Sequence, residues 1–204
     1  FYSMAGYVDY HNTFAQHHNV SAMVGAQYEL KEYDYFGVLV KDIQNSLETV
    51  NGAGLVNLTD KHGTKWHEAV MSYYSRLNYN YKSKYLLEVN MRYDGSSKFA
   101  RGHRWGFFPS VSAGWRISEE AFFEPLKKHV QNLKLRASWG ELGNQRINDY
   151  QFISNVGNGG SYLFGGTPII GYKEALMGNE IITWESSRNL DFGIDFALFD
   201  NRLQ

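Results

Sequence analysis

The residues best suited to recognising another molecule stand together in one long polar connection, residues 142–181. Side-chain amides there can donate and accept hydrogen bonds, and aromatic rings can stack on a sugar or on a peptide side chain. Six of them are candidates for contact with a glycan or a peptide: Asn144, Gln145, Tyr150, Tyr162, Phe164 and Tyr172. The alternative, which we favour on composition, is that these side chains pack one loop against another.

Histidines and glycine-rich stretches are the other places where chemistry could occur. His17 and His18 are adjacent, and neighbours on a strand point to opposite faces, so they do not easily share one metal ion. His62 and His67 lie in a polar segment without cysteine or an obvious carboxylate pair. Residues 157–160 are glycine-rich but lack the lysine of a phosphate-binding loop, and no serine sits in a nucleophile elbow. We therefore expect no metal site, no cofactor and no catalytic site, so the chain is not expected to be an enzyme.

Composition limits the remaining classes. The chain has 204 residues and a net charge of -1, so no basic field argues for nucleic acid. It has no cysteine, which removes disulfide and thiol chemistry. It also lacks any apolar run near the roughly 18–20 residues that a transmembrane helix needs. The 15 tyrosines and 20 glycines suit a β-barrel, where tyrosine lies at membrane interfaces and glycine in turns.

The elements that would position such residues are long strands with two unlike faces. In residues 182–198 the even positions are mostly apolar, including Trp184, Leu190 and Ile194, and the odd positions are mostly polar, including Asp191 and Asp195. Strict alternation indicates a strand, and this one exceeds the about 9–11 residues with which a tilted strand crosses a bilayer. The pattern predicts a transmembrane β-strand with Ile194 towards lipid and Asp195 towards a polar lumen.

The same alternation recurs in five other segments, at about residues 20–30, 71–80, 85–93, 107–117 and 133–139, and a further strand is expected at about residues 2–10. The connections between them are alternately short and long. Residues 15–18 and 81–84 read as short turns, whereas 35–67, 95–105 and 142–181 read as long polar loops. Residues 119–126, within the connection 118–132, read as a short helical turn on the side of the short turns. This asymmetry is typical of outer-membrane barrels, whose long loops face outside.

Aromatic residues at the strand ends read as two membrane-interface girdles. One set is assigned to the ends with short turns: Tyr79, Tyr81, Tyr85 and Trp115. The other set is assigned to the outer ends: Tyr28, Tyr93, Phe107, Trp139 and Trp184.

The strand count predicts that the chain is part of something larger. The pattern gives seven strands, and an eighth begins at Arg202 after a tight turn at residues 200–201. Seven strands cannot close a natural single-chain bacterial barrel, and bare strand edges in lipid are costly. The fold class expected is all-β: an antiparallel transmembrane β-barrel, incomplete here, with residues 1–204 forming part of one outer-membrane barrel domain.

Several segments, taken in order, resemble the SusC/RagA family of TonB-dependent outer-membrane transporters. They are 75–79 (SRLNY), 92–99 (RYDGSSKF), 104–117 (RWGFFPSVSAGWRI), 133–140 (LKLRASWG), 143–145 (GNQ), 184–185 (WE) and 200–203 (DNRL). The first seventy or so residues resemble the family in style only. The resemblance implies a 22-stranded barrel around an N-terminal plug, with the plug and the closing strand outside this chain.

The same resemblance implies the function and the partners. The implied function is import of oligosaccharides or oligopeptides across the bacterial outer membrane. The implied partners are a SusD-like surface lipoprotein, the TonB complex, which would act through a region outside this chain, and the outer-membrane lipid around the barrel. Two alternatives remain open at this point: a passive outer-membrane porin, and a soluble β-sandwich binding module. Strand length and the charged second face count against the sandwich.

Overall fold

The computed structural model describes residues 1–37 and 62–198. Within them the chain forms nine strands: β1 (Tyr2–Phe14), β2 (His18–Gly37), β3 (His62–Tyr81), β4 (Tyr85–Ser96), β5 (Trp105–Arg116), β6 (Val130–Asn144), β7 (Asn155–Phe164), β8 (Thr167–Leu176) and β9 (Glu185–Leu198). Two short 3₁₀ turns, Ile117–Glu119 and Ala121–Leu126, lie between β5 and β6. The helical turn expected there is confirmed.

Seven of the strands form one antiparallel sheet in the order β1-β2-β3-β4-β5-β6-β9. The expected class, an incomplete antiparallel barrel wall, is confirmed. Several strands reach 12 to 20 residues, and β2 and β3 are the longest. The predicted turn at residues 200–201 and the eighth strand at Arg202 lie outside the described residues.

The register keeps the two faces separate across the sheet. Leu87, Ala113, Ala137 and Phe192 are cross-strand partners in one row. One residue further along, Glu88, Ser112, Ser138 and Asp191 form the next row. Because side chains alternate along each strand, adjacent rows project to opposite faces. The sheet therefore has one apolar face and one polar face, as the alternation predicts.

Two tight hairpins join β1 to β2 and β3 to β4. Ala15 and Gln16 have φ values of 47° and 59°, and Lys82 and Ser83 have 50° and 57°. Two successive positive φ values define a type I′ turn, whose twist matches that of the flanking strands. Ser83 N donates to Asn80 Oδ1 at 2.9 Å, which helps to hold the second turn without glycine. Both predicted short turns are confirmed.

Three predicted boundaries were wrong. The polar segment 35–67 is not all loop, since β2 runs to Gly37 and β3 begins at His62. The connection predicted at 142–181 begins later, because β6 continues to Asn144 and pairs there with Glu185. The same connection contains strands β7 and β8, which pair with each other and form a separate two-stranded sheet.

Candidate functional site

The polar face is the concave side of the sheet, where residues from all seven strands line an open space of about 1190 Å³. Several of its charged groups form ion pairs, some across strands and one within a strand. Asp195 lies between two cations, with Arg136 Nε at 3.2 Å from Oδ1 and Lys134 Nζ at 3.7 Å from Oδ2. On β4, Arg92 Nη2 contacts Asp94 Oδ1 at 3.1 Å and also reaches Ser72 Oγ at 3.3 Å. A water-filled lumen can hydrate such pairs, whereas a packed apolar core would accept few of them.

A denser cluster lies at the end of the sheet that carries the long connections. Lys98, in the loop between β4 and β5, places Nζ 3.6 Å from Glu68 Oε2 and 3.8 Å from Asp149 Oδ1. The same ammonium group donates to the carbonyl oxygen of Ile147 at 3.1 Å. Gln145 Nε2 donates to Glu68 Oε1 at 3.1 Å. One lysine therefore joins strand β3, the 97–104 loop and the start of the long connection; we call these residues the Lys98 cluster.

Three aromatic rings support the same region. Phe99 is fully buried and Phe108 nearly so. Trp184 contacts both, with ring centroids 5.4 Å from Phe99 and 5.3 Å from Phe108. Its Nε1 donates to the carbonyl oxygen of Arg104 at 2.7 Å. The predicted place of Trp184 in the outer girdle was wrong, because its ring packs on the 97–104 loop just before β9 begins.

Glycines make room for this aromatic packing. A Cβ on Gly106 or on Gly143 would collide with the ring of Phe108, and a Cβ on Gly106 would also lie 2.9 Å from Trp184. The ring of Phe108 therefore lies over two positions that have no side chain. Gly143 belongs to the motif 143–145, so part of that motif serves packing.

The long connection carries a hairpin that projects from the sheet. Its base is closed by two hydrogen bonds, from Gly178 N to Ser154 Oγ and from Asn179 N to Gln151 O, both 2.9 Å. We call this the hairpin clasp. A Cβ on Gly178 would lie 2.6 Å from the backbone of Ile153 and Ser154, so the clasp requires glycine. Within the described residues, nearly all of β7 and all of β8 are exposed.

The six candidate residues fall into three groups. Gln145 is half-buried in the Lys98 cluster, and Asn144, at the end of β6, donates from Nδ2 to Glu185 Oε2 at 2.9 Å. Tyr150 lies in the loop before the hairpin, with a φ of 59°. Tyr162, Phe164 and Tyr172 lie on the hairpin and are 71%, 70% and 76% exposed. The structure therefore brings the last three together on one exposed hairpin and separates them from Asn144 and Gln145.

Lys98 and Glu68 were not among the residues singled out from the sequence. Charged residues in a polar loop look the same whether they are solvated or buried, so composition gives no warning of this cluster. The one available signal is that Lys98 lies inside the resembling segment 92–99.

Aromatic side chains cluster on the apolar face near the same end. Trp105 lies over Gly95, where a Cβ would approach the indole ring to 2.8 Å. Tyr93 stacks on Trp105 with centroids 4.7 Å apart, and Tyr73 lies 5.9 Å away. Such a band of amphipathic rings suits the level of lipid headgroups.

At the opposite end, Glu120 ties the 3₁₀ connection to the sheet. It accepts hydrogen bonds from Tyr85 Oη at 2.7 Å, from Lys84 Nζ at 3.0 Å and from Trp115 Nε1 at 3.2 Å. The Tyr85 hydroxyl, followed by Lys84 and Trp115, holds the pKa of the Glu120 carboxyl at about 2. The carboxylate therefore stays charged throughout the physiological range.

Residues 1–37 and 62–198 contain no group of three or more metal-binding side chains close enough to hold an ion. No helix in the same ranges is long and apolar enough to span a membrane.

Long antiparallel strands with an apolar face, a polar concave face and aromatic bands define the class: this is a segment of an outer-membrane-type β-barrel wall. The chain belongs to the family described as TonB dependent receptor-like, beta-barrel, whose family model matches residues 1–204. The match includes the first seventy residues, so the expectation that they resemble the family in style only was too narrow.

Individual relatives agree with this assignment. TonB-dependent receptor P39 of Formosa agariphila is 34% identical over 198 residues, which are 97% of this chain and 19% of that protein. TonB-dependent receptor SusC of Bacteroides thetaiotaomicron is 38% identical over 138 residues, which are 66% of this chain and 14% of SusC. The resemblance to SusC/RagA proteins is thus confirmed. The chain spans about a fifth of the length of most of the curated relatives it matches.

Solved structures share the fold. A structure of the RagAB peptide transporter matches with a TM-score of 0.82 over 98% of this chain and 22% of that chain, at 23% identity. The RagAB peptide importer in its 'open-open' state matches with a TM-score of 0.78.

Proposed function

We propose that this chain is part of the barrel wall of an outer-membrane transporter that imports oligosaccharides or oligopeptides with energy supplied through TonB. The observation that carries the proposal is the family match over the whole chain, together with a concave face of paired charges. A SusD-like surface lipoprotein is the proposed partner, and the barrel is set in outer-membrane lipid. The relatives are named as receptors, and we propose no catalytic role.

We also propose that residues 1–204 belong to a single barrel domain, with a plug and the closing strand supplied by the rest of the protein. Support comes from the one continuous sheet that holds seven of the nine described strands. The relatives are about five times longer than this chain, which leaves room for both parts.

Cargo contact is proposed for the exposed rings of the hairpin, Tyr162, Phe164 and Tyr172. Rings of this kind stack on sugars and also pack against peptide side chains, so both cargo classes remain within the proposal. Tyr150 is a further candidate at the foot of the hairpin. Asn144 and Gln145 would act by holding the connection in place, since their amides already bind Glu185 and Glu68.

Uptake in cells carrying the whole transporter tests the proposal. Labelled oligosaccharides and oligopeptides should enter in a process that a protonophore abolishes, because TonB coupling uses the inner-membrane proton gradient. Uptake that survives the protonophore would instead support the passive porin. A variant with Tyr162, Phe164 and Tyr172 all changed to serine should lose cargo capture but assemble normally, since none of the three lies in the seven-stranded sheet.

Cysteine labelling tests the orientation. With cysteines elsewhere in the transporter removed, Ser161→Cys on the hairpin should react with an impermeant maleimide on intact cells. Ser83→Cys, in the turn between β3 and β4, should stay unlabelled. The reverse pattern would invert the wall and place the hairpin in the periplasm.

A further inference from the structure

The connection between β5 and β6 carries an exposed apolar surface at the rim of the sheet, on the side of the short turns. Phe122 is 66% exposed and Leu126 is 53% exposed, whereas Phe123 between them is buried. Pro125 and Ala121 are exposed beside them. These side chains form a small exposed apolar patch in one six-residue turn, which a lipid surface or a protein can cover.

The hydrogen bonds of Glu120 show on which side of the wall this connection lies. Trp115 and Tyr85 are cross-strand partners that belong to the apolar face, in the row that continues through Leu135 and Ile194. Glu120 accepts hydrogen bonds from the polar atoms of both rings. Glu120 therefore attaches the connection to two aromatic residues of the apolar face.

The charges around the apolar residues are of both signs. Glu119 and Glu124 precede Lys127 and Lys128, and Lys127 Nζ lies 3.0 Å from Glu124 Oε2. A zwitterionic phospholipid headgroup offers a phosphate for Lys128 and an ammonium group for Glu119. A uniformly acidic or basic partner would complement only half of this set.

From these observations we infer that residues 117–129 form an interfacial anchor, with Phe122 and Leu126 inserted at the acyl-chain boundary of the periplasmic leaflet and the flanking charges among phospholipid headgroups. This inference rests on the proposed function, because it needs the apolar face to be in lipid. Glu120 is the positioning residue, since it fixes the anchor to Trp115 and Tyr85. Amphipathic segments of this kind lie in the interface plane with their apolar side shallowly buried.

Spin labelling of the full-length transporter tests the anchor. Single cysteines are introduced as Phe122→Cys, Leu126→Cys, Glu119→Cys and Phe192→Cys, and the protein is reconstituted in phosphatidylethanolamine and phosphatidylglycerol vesicles. Collisions with oxygen report lipid, and collisions with a water-soluble nickel chelate report water. Labels at residues 122 and 126 should favour oxygen, the label at 119 should favour the chelate, and the label at 192 serves as the wall reference.

Every other pattern overturns the inference. Labels at 122 and 126 that favour the chelate would place the connection in water. Labels shielded from both reagents would place it against protein, such as the plug or another subunit. Either result, with residue 192 still in lipid, defeats the anchor alone; loss of the lipid signal at residue 192 defeats the barrel proposal as well.

A second variant tests the role of Glu120. Glu120→Ala removes all three hydrogen bonds, so the label at residue 122 should shift towards the chelate while that at 192 stays unchanged. The matched change Glu174→Ala, on exposed strand β8 and outside the anchor, should leave both labels as they were. An unshifted label at 122 in Glu120→Ala would remove Glu120 from the argument.

Discussion

Replacing Lys98 by methionine tests whether the Lys98 cluster holds the long connection in place. Lys98 and Glu68 are only 16% and 9% exposed, so their attraction is little screened by water. Methionine keeps the length of the side chain but removes the charge and the hydrogen bond to Ile147. Glu68 would then keep its charge with the amide of Gln145 as its remaining partner among the described residues.

The size of the effect follows from the geometry. Removing one partner of a buried ion pair costs about 3–5 kcal/mol. We expect the lower end, about 3 kcal/mol, because the pair distances of 3.6 and 3.8 Å exceed a direct hydrogen bond and Asp149 is partly exposed. Since the strand pairing is untouched, the cost should appear as local opening of the 97–104 loop and the 145–150 segment. A cost of about 3 kcal/mol raises the open population roughly a hundredfold.

Hydrogen exchange on the full-length transporter measures this directly. The Ile147 amide, which donates to Gln145 O at 2.8 Å, should exchange about a hundredfold faster in Lys98→Met. Lys173→Met, on the exposed hairpin, is the matched control and should leave Ile147 unchanged. In Glu68→Gln/Lys98→Met no charge is left buried, so much of the protection should return. If Ile147 exchanges at the wild-type rate in Lys98→Met, the cluster does not hold the connection.

Three further predictions address other parts of the wall. Ile194→Arg should destabilise the assembled barrel by about 2–4 kcal/mol, because it puts a cation on the apolar face, whereas Asp191→Arg on the polar face should be tolerated. Heat-modifiable gel mobility compares the assembly of the two variants. Equal tolerance of both would contradict the assignment of the two faces. Gly106→Ala should destabilise the barrel by about 1–3 kcal/mol in a thermal unfolding assay, because the added Cβ would meet the packed rings of Phe108 and Trp184. The control Gly193→Ala should have little effect, because its Cβ would meet the flexible side chain of Arg136. Similar losses in the two variants would argue against the ring packing. Because the pKa of Glu120 is lowered, its contribution to stability is complete above its unfolded pKa of about 4.5 and is lost as the pH falls through about 2. The stability of Glu120→Gln, measured by unfolding at a series of pH values, should therefore lack the loss that the wild type shows between those two values. Parallel pH profiles of the two proteins would refute this.

Much of the wall could be predicted from the sequence because alternation carries the information directly. The row through Leu87 and the row through Glu88 each consist of cross-strand partners, and the two rows lie on opposite faces, as a period of two requires. The short turns at Ala15 and Lys82 were recognisable from their position between alternating segments, although neither contains glycine. Strand ends were less predictable, because the extensions of β2 and β6 carry polar residues that also suit loops.

The parts that escaped prediction depend on contacts between distant segments. Trp184 continues the apolar parity of β9, yet its ring packs against Phe99 and Phe108, some eighty residues earlier in the chain. Strand β7 contains a glycine-rich stretch at residues 157–160, which shows no alternation to indicate a strand. Lys98 and Glu68 come into contact only when the 97–104 loop folds back against β3. No local sequence pattern predicts such contacts between distant segments.

The hairpin clasp allows the hairpin to differ between related proteins without a change in the barrel wall. Because Gln151 and Ser154 are held against Gly178 and Asn179, the entry and exit of the projecting hairpin are close neighbours. Closing a loop costs little more entropy when it is lengthened, as each doubling adds about 0.6 kcal/mol. The hairpin can therefore be lengthened, shortened or exchanged as a cassette while β6 and β9 keep their register. Relatives built on the same wall could in this way acquire different surface recognition without repacking a single strand of the sheet.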